Sequence, residues 1–163
     1  MLFIRSASGR DLEAVSGLLH ETWHATYDPI YGVERVAEIT AEWHSPAVLA
    51  ENLARPDSEF IVADDGTNIA GMAYARKASA KSVMLHQLYV LPGKQGRGAG
   101  SMLLDEICQC FPDADVLRLE VESANAAAIA FYERHGFSPA GATSNCGRPD
   151  SGIPALIFEK PLR

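Results

Sequence analysis

A glycine-rich run, Gln95-Gly96-Arg97-Gly98-Ala99-Gly100, lies between an apolar stretch, Met84 to Leu91, and an amphipathic one, Ser101 to Cys110. That order reads as strand, turn, helix. Such a turn leaves backbone N–H groups without partners at a helix N-terminus, where the helix dipole is positive. The chemistry that suits the place is binding of anionic phosphate oxygens. Glycine lets a ligand approach the backbone with no Cβ in the way. A second segment carries acid and base groups. Glu120-Val121-Glu122-Ser123-Ala124-Asn125 leads through Ala126 to Phe131-Tyr132, and then to His135-Gly136-Phe137. It reads as a strand end, an Asn cap, a helix, a Gly stop and a Phe anchor. The glycine run alone also fits a turn that binds nothing. The second segment, in the same short chain, shifts the balance toward a site.

The elements that must position these residues are legible in outline. Phe3-Ile4-Arg5 reads as a short first strand. Ser8 can cap a helix with Asp11 in its first turn, and Leu12, Val15, Leu18, Leu19 and Trp23 recur at helical spacing. Asp28-Pro29 breaks that pattern. A second helical region spans about Val33 to Trp43. Ser45-Pro46 is a further start signal, with Val48, Leu49 and Leu53 facing inward. Phe60 to Ala63, the turn Asp64-Asp65-Gly66 and Ile69 to Tyr74 read as a hairpin. A polar linker, Arg76 to Ser82, leads into the strand that ends at Leu91. Phe111-Pro112-Asp113 stops the helix after the glycine turn. Val116 to Val121 is a strand, Ala126 to His135 a helix, and two short strands lie near Ala140–Thr143 and Ala155–Glu159. The order is β, α, α, β, β, β, α, β, α, β, β. Strands linked through helices in the second half imply parallel pairing there. A mixed α/β sheet with helices on both faces follows.

The 163 residues suit one domain, 1–163, with a single core. No apolar run approaches the roughly 20 residues of a membrane span, and the N-terminus has no secretory pattern, so a cytoplasmic protein is expected. The three cysteines, Cys108, Cys110 and Cys146, lack metal-ligand spacing and fit a reducing compartment; no metal site is expected. The net charge of −7, with no basic tract, argues against nucleic acid as a partner. It suits a cationic small molecule or a basic peptide, or serves only solubility.

These residues resemble the GNAT family of acetyl-CoA-dependent N-acetyltransferases. Gln95 to Gly100 matches the family's Arg/Gln-x-x-Gly-x-Gly/Ala signature. Asn125 to Phe137 matches its Asn-x-x-Ala-x-x-hydrophobic-Tyr-x-x-x-Gly-Phe pattern. Leu88-Tyr89-Val90-Leu91-Pro92 is similar to its central strand. The resemblance implies a mostly antiparallel sheet with a splayed parallel central pair, and acetyl-CoA as co-substrate. A Rossmann dinucleotide site is a rival for the glycines, with Glu120 about where its ribose-binding acid should stand. There, however, the glycines follow the strand at once, whereas Pro92-Gly93-Lys94-Gln95 intervenes here; the spacing is also Gly-x-Gly-x-Gly.

By this resemblance, Tyr89, Val90 and Leu91 offer backbone groups to the pantetheine arm. An N–H near Val90 would stabilise the oxyanion formed from the thioester carbonyl. Backbone N–H groups of Gln95, Gly96, Arg97, Gly98, Ala99 and Gly100 would hold the pyrophosphate. Arg97 would add charge-assisted bonds or remain a solvated loop arginine. Tyr132 is the candidate general acid for the departing thiolate, against a packing role on the sheet. Asn125 would cap its helix and contact the cofactor arm. Two residues compete as base. Glu120 resembles the base of ribosomal-protein N-terminal acetyltransferases, but also suits a salt bridge to Arg118 or Arg134. His86 lies where many family members carry a glutamate base, and has a suitable pKa; a rim or core histidine is the alternative. With no cysteine in either motif, the acetyl group is expected to pass directly to an amine in a ternary complex.

The acceptor pocket would be built from the segment Thr22-Trp23-His24-Ala25-Thr26-Tyr27, with Tyr31, Trp43-His44 and the loop Ser144 to Pro154. Trp23, Tyr27, Tyr31 and Trp43 would line a cation site or, as favoured here, pack a helix pair. Two acceptors fit the resemblance: a small cationic primary amine, which is preferred, and a protein N-terminus. A non-catalytic acyl-CoA sensor is the third reading. The final strands would allow a homodimer without demanding one.

Overall fold

The computed structural model describes residues 1–147 and 151–163. Arg148, Pro149 and Asp150 of the late loop, expected near the acceptor, lie outside the described residues.

The elements run β1 (Phe3–Ser6), α1 (Leu12–Tyr31), α2 (Val33–Trp43), α3 (Pro46–Ala54), β2 (Ser58–Asp64), β3 (Ile69–Lys77), β4 (Ser82–Val90), α4 (Ala99–Cys110), β5 (Val116–Glu122), α5 (Ala126–Arg134), β6 (Ser138–Thr143) and β7 (Ala155–Pro161). The strands form a seven-stranded sheet in the order β1-β2-β3-β4-β5-β7-β6. It is mostly antiparallel, with β4 and β5 parallel from Ser82↔Val116 to Leu85↔Leu119. Each of these two strands continues past that ladder, β4 to Val90 and β5 to Glu122. By contacts, the chain gathers into two units: Met1–Tyr74 with Gln87–Cys110, and Ala75–His86 with Phe111–Arg163.

In the first unit, the predicted apolar stripe of α1 is buried as expected: Leu12, Val15, Leu18 and Leu19 pack with Leu49, Phe60, Val62 and Met72. Each such side chain contributes about 1.5–3 kcal/mol by leaving water. Asp11 ties the start of α1 to β1. Its carboxylate accepts both Arg5 Nη atoms at 2.9 Å and Ser8 N–H at 2.8 Å. The Arg5 guanidinium holds this acid far below its ordinary range.

Three features depart from the sequence reading. Helix α1 does not stop at Asp28-Pro29 but runs through Pro29 to Tyr31. Proline removes one helical hydrogen bond, but side chains one turn apart hold the last turns. His24 Nδ1 lies 2.7 Å from Asp28 Oδ1, and the Tyr27 and Tyr31 rings lie 5.7 Å apart. The stop is Gly32, at φ 88°, whose N–H donates to Asp28 O at 3.0 Å. Second, Ser45-Pro46 opens a helix as its start signal indicated, but that helix is separate from α2, so three helices, not the two in the expected order, precede β2. Ser45 Oγ accepts Val48 N–H at 3.3 Å. Third, helix-linked β4 and β5 are parallel neighbours, but β5 and β6 are not neighbours. The C-terminal β7 inserts between them, antiparallel to both.

In the second unit, Leu117, Leu119 and Val121 of β5 are buried with Phe137, Ile153 and Phe158. The opposite face of β5 presents Arg118, Glu120 and Glu122. Arg118 is exposed and paired with Glu159 of β7 at 2.6 Å. Among the described residues, no helix is long and apolar enough to cross a membrane.

Candidate active site

The end of β4 and the glycine turn lie in the first unit. Chain direction after β4 is set by short bonds. Leu91 N–H donates to Ala70 O at 2.9 Å, Lys94 N–H to Leu91 O at 2.8 Å, and Gln95 Nε2 to Val90 O at 3.1 Å. Both backbone groups of Leu91 are therefore engaged within the chain. Lys94 also reaches Asp65 in the β2–β3 turn at 3.3 Å. The side chain of Asp65 closes that turn: it accepts the N–H groups of Asn68 and Thr67, which with Lys94 lower its pKa to about 2.

Gly96 and Gly98 adopt φ of 79° and 85°, a region costly for residues with a Cβ. Nothing lies within 4 Å of a Cβ built at either position, so the turn is open above its backbone. Helix α4 begins at Ala99, and Met102 N–H donates to Gly98 O at 3.0 Å. Helix geometry leaves the N–H groups of Ala99 and Gly100 without an intrahelical acceptor. These donors and the positive end of the dipole form a place where an anion fits. Arg97 is exposed on the turn, and Gln95 anchors it through its side chain.

Gly71 was not singled out from the sequence, although a lone Gly inside a strand is a recognisable signal of close backbone approach. A Cβ there would stand 2.9 Å from Tyr89 O, 3.1 Å from Leu103 Cδ1 and 3.2 Å from Val90 Cγ2. Gly71→Ala is expected to destabilise the protein by about 1–3 kcal/mol by displacing Tyr89 and Val90. Urea denaturation checks this; an unchanged midpoint would contradict the close-approach role.

Strand β5, helix α5 and the segment after β6 lie in the second unit. Asn125 caps α5, its Oδ1 accepting Ala128 N–H at 3.1 Å. Asn125 and Tyr132 stand seven residues apart, two turns along one face of the helix. Tyr132 is 9% exposed and packs edge-on against Phe131 and Phe137, at 5.3 Å from each. Phe137 is fixed by its N–H bond to Tyr132 O at 3.1 Å, and Gly136, at φ 89°, turns the chain to place it. The Tyr132 hydroxyl has no hydrogen-bond partner among the described residues. Burial, and after it the Glu122 carboxylate, hold its phenol well above the ordinary value. Both causes favour the protonated phenol.

Glu120 is half-buried, and its Oε1 accepts Gly147 N–H at 2.9 Å. It does not take the salt bridge to Arg118, which Glu159 holds. His86 lies exposed on β4. Glu122 and Cys146 were absent from the sequence-derived site. Glu122 is 7% exposed, with Cys146 Sγ 3.7 Å from its Oε1. Glu122 lies on the same face of β5 as Glu120, but nothing local in the sequence announced Cys146 beside it. Burial and the Glu122 and Glu120 carboxylates push the Cys146 thiol well above its ordinary value, so it is held as an unreactive thiol.

The aromatic residues of α1 and α2 form a packed cluster in the first unit. Trp23 and Tyr27 are buried, with rings 4.5 Å apart; Trp43 meets Trp23 edge-on at 5.7 Å, and Tyr31 packs beside them. His44 Nδ1 lies 2.7 Å from Thr40 Oγ1, and Ser16 Oγ donates to His44 O at 2.6 Å. This is the helix-pair packing favoured from the sequence.

Comparison with known proteins converges on one family. The family model described as "Acetyltransferase (GNAT) family" matches residues 18–137. N-alpha-acetyltransferase RimI of Mycobacterium tuberculosis is 31% identical over 142 residues, spanning 75% of this chain and 89% of that protein. A spermidine N(1)-acetyltransferase of Thermoplasma acidophilum is 28% identical over 140 residues, 82% of this chain and 86% of that protein. The fold is shared with the crystal structure of the PaiA N-acetyltransferase of Thermoplasma acidophilum in complex with coenzyme A, at a TM-score of 0.87 and 24% identity over 99% of both chains.

Proposed function

This chain belongs to the acetyltransferase (GNAT) family, and on that premise we propose that it moves an acetyl group from acetyl-CoA directly to a small cationic primary amine. Acetyl-CoA supplies the activated thioester. The open glycine turn suits its pyrophosphate: Gln95, Gly96, Arg97, Gly98, Ala99 and Gly100 would hold the phosphates through backbone N–H groups, with Arg97 adding charge. The backbone of Tyr89 and Val90 would order the pantetheine arm. Asn125 keeps Tyr132 on the face of α5 that the reaction uses. Tyr132 Oη would deliver a proton to the departing sulfur.

The observation that carries this reading is the buried phenol of Tyr132, whose neutral form burial and the Glu122 carboxylate of β5 favour. A sensor that only binds acyl-CoA needs neither group. Glu120 is the preferred base, since it is ordered by Gly147 N–H and half-buried; His86 is the second candidate. Cys146, held as a neutral thiol, supports direct transfer over an acetyl-enzyme. The carboxylates Glu120 and Glu122 and the net charge of −7 favour a cationic acceptor, as does the likeness to a spermidine acetyltransferase. One domain, 1–163, in the cytoplasm is the setting we infer.

A peptide N-terminus is the second reading, favoured by the 31% identity to RimI. Comparing kcat/KM for spermidine, other polyamines, aminoglycosides and short peptides tests the choice. A polyamine is expected to lead. Turnover confined to peptides would overturn the small-amine acceptor and leave the transferase reading intact.

A further inference from the structure

Resting on the reading of Glu120 as base, we propose that Cys146 is a positioning residue for that carboxylate. It seats the segment after β6 so that Gly147 N–H holds Glu120 Oε1 and leaves Oε2 to the acceptor ammonium. Cys146 and Gly147 are neighbours in the chain, and each meets one carboxylate on the same face of β5. Cys146 Sγ–H faces Glu122 Oε1 at 3.7 Å, and Gly147 N–H donates to Glu120 Oε1 at 2.9 Å. Among the described residues, Glu120 Oε2 takes part in no hydrogen bond.

Strand order explains why a seat is needed. Strand β7 lies between β5 and β6, so the chain leaving β6 must cross β7 to reach β5. Where it arrives, Cys146 is 6% exposed and Glu122 7%. The Cys146 thiol is protonated, the form with a proton to donate, because burial and the carboxylates oppose the thiolate. The backbone of Cys146 is held as well. Its N–H donates to Ile153 O at 2.8 Å, a rung beyond the last β6–β7 pair, Thr143↔Ala155. Gly152 N–H donates to Asn145 Oδ1 at 3.0 Å, and Ser123 N–H, just past β5, donates to Pro154 O at 3.1 Å. The two legs of the turn are thus tied to each other and to β5. Gly147 is exposed and has no side chain to anchor it, so its buried neighbour sets where its N–H points. A carboxylate with one oxygen fixed in this way cannot swing out of line, and misplacement by about 1 Å can cost a reaction about 10²-fold.

A double-mutant cycle tests the coupling, with kcat measured for the amine or peptide that leads the comparison above. Cys146→Ala is expected to lower kcat about tenfold in the wild type, with the KM for acetyl-CoA little changed. In a Glu120→Gln background, where no base remains to be positioned, the same change is expected to cost less than about twofold. A merely structural cysteine would lower kcat by the same factor in both backgrounds, and that result would overturn the proposal, as would wild-type kcat in Cys146→Ala. Cys146→Ser, which keeps a donor for Glu122, is expected to retain more of the rate than Cys146→Ala; the reverse order would also overturn it. A second measurement needs no substrate. Exchange of the Gly147 amide hydrogen, followed by NMR, is expected to run about tenfold faster in Cys146→Ala and in Glu120→Ala than in the wild type. Equal rates in all three would overturn the proposal. Full activity in Glu120→Gln would instead remove the base on which the proposal rests, and so marks that separate failure.

Discussion

Replacing Tyr132 with Phe is expected to lower kcat by about 10²–10⁴-fold, the usual contribution of a positioned general acid, while acetyl-CoA binding stays within about twofold. Collapse toward product expels a thiolate, and on the proposed reading the phenol meets it with a proton. The surrounding structure keeps that proton in place: burial and the Glu122 carboxylate both oppose the phenolate. The substitution removes one oxygen and leaves the ring contacts with Phe131 and Phe137, so the fold should be kept. Rates of thiol release and calorimetry of acetyl-CoA binding separate the two effects. Loss of binding together with rate would mean that Tyr132 packs the site and does no proton chemistry.

The double substitution Gly96→Ala with Gly98→Ala is expected to weaken acetyl-CoA binding about 10–100-fold, with kcat at saturation much less affected. Both glycines hold positive φ, 79° and 85°. A Cβ in that region costs roughly 1–2 kcal/mol per residue, and each 1.4 kcal/mol is about tenfold in affinity. Part of the strain is relieved by the turn relaxing to negative φ, which swings the N–H groups away from the phosphates. No neighbouring atom lies within 4 Å of either new Cβ, so the core of the first unit is untouched. Calorimetry with acetyl-CoA and with dephosphorylated pantetheine fragments checks the prediction. Equal weakening for both ligands would contradict a pyrophosphate role, and unchanged binding would remove the turn from the site.

The parts legible in the sequence are those with local causes. The glycine turn, the Asn125 cap, the Gly136 stop and helix Val33–Trp43 are each specified within a few residues. The parallel β4–β5 pair also followed, because a helix joins the two strands. Insertion of β7 between β5 and β6 did not follow, since strand order is fixed by burial at long range. Pro29 misled because packing of Tyr27 on Tyr31 outweighs one lost hydrogen bond. Among the candidate site residues, Tyr132 and Glu120 came from the family resemblance. Glu122 beside Cys146, and Gly71 under Tyr89, join segments far apart in the chain, and their roles emerge only where the chain meets itself.

The account stands most directly on amine-dependent thiol release from acetyl-CoA by the purified protein. It predicts steady release that starts only when a primary amine such as spermidine is added, with one acetamide formed per thiol and no acetylated protein detectable by mass with acetyl-CoA alone. Tight acetyl-CoA binding without release for any amine or peptide would contradict the transferase reading and leave a sensor. Stoichiometric acetylation of the protein before any amine is added would contradict direct transfer.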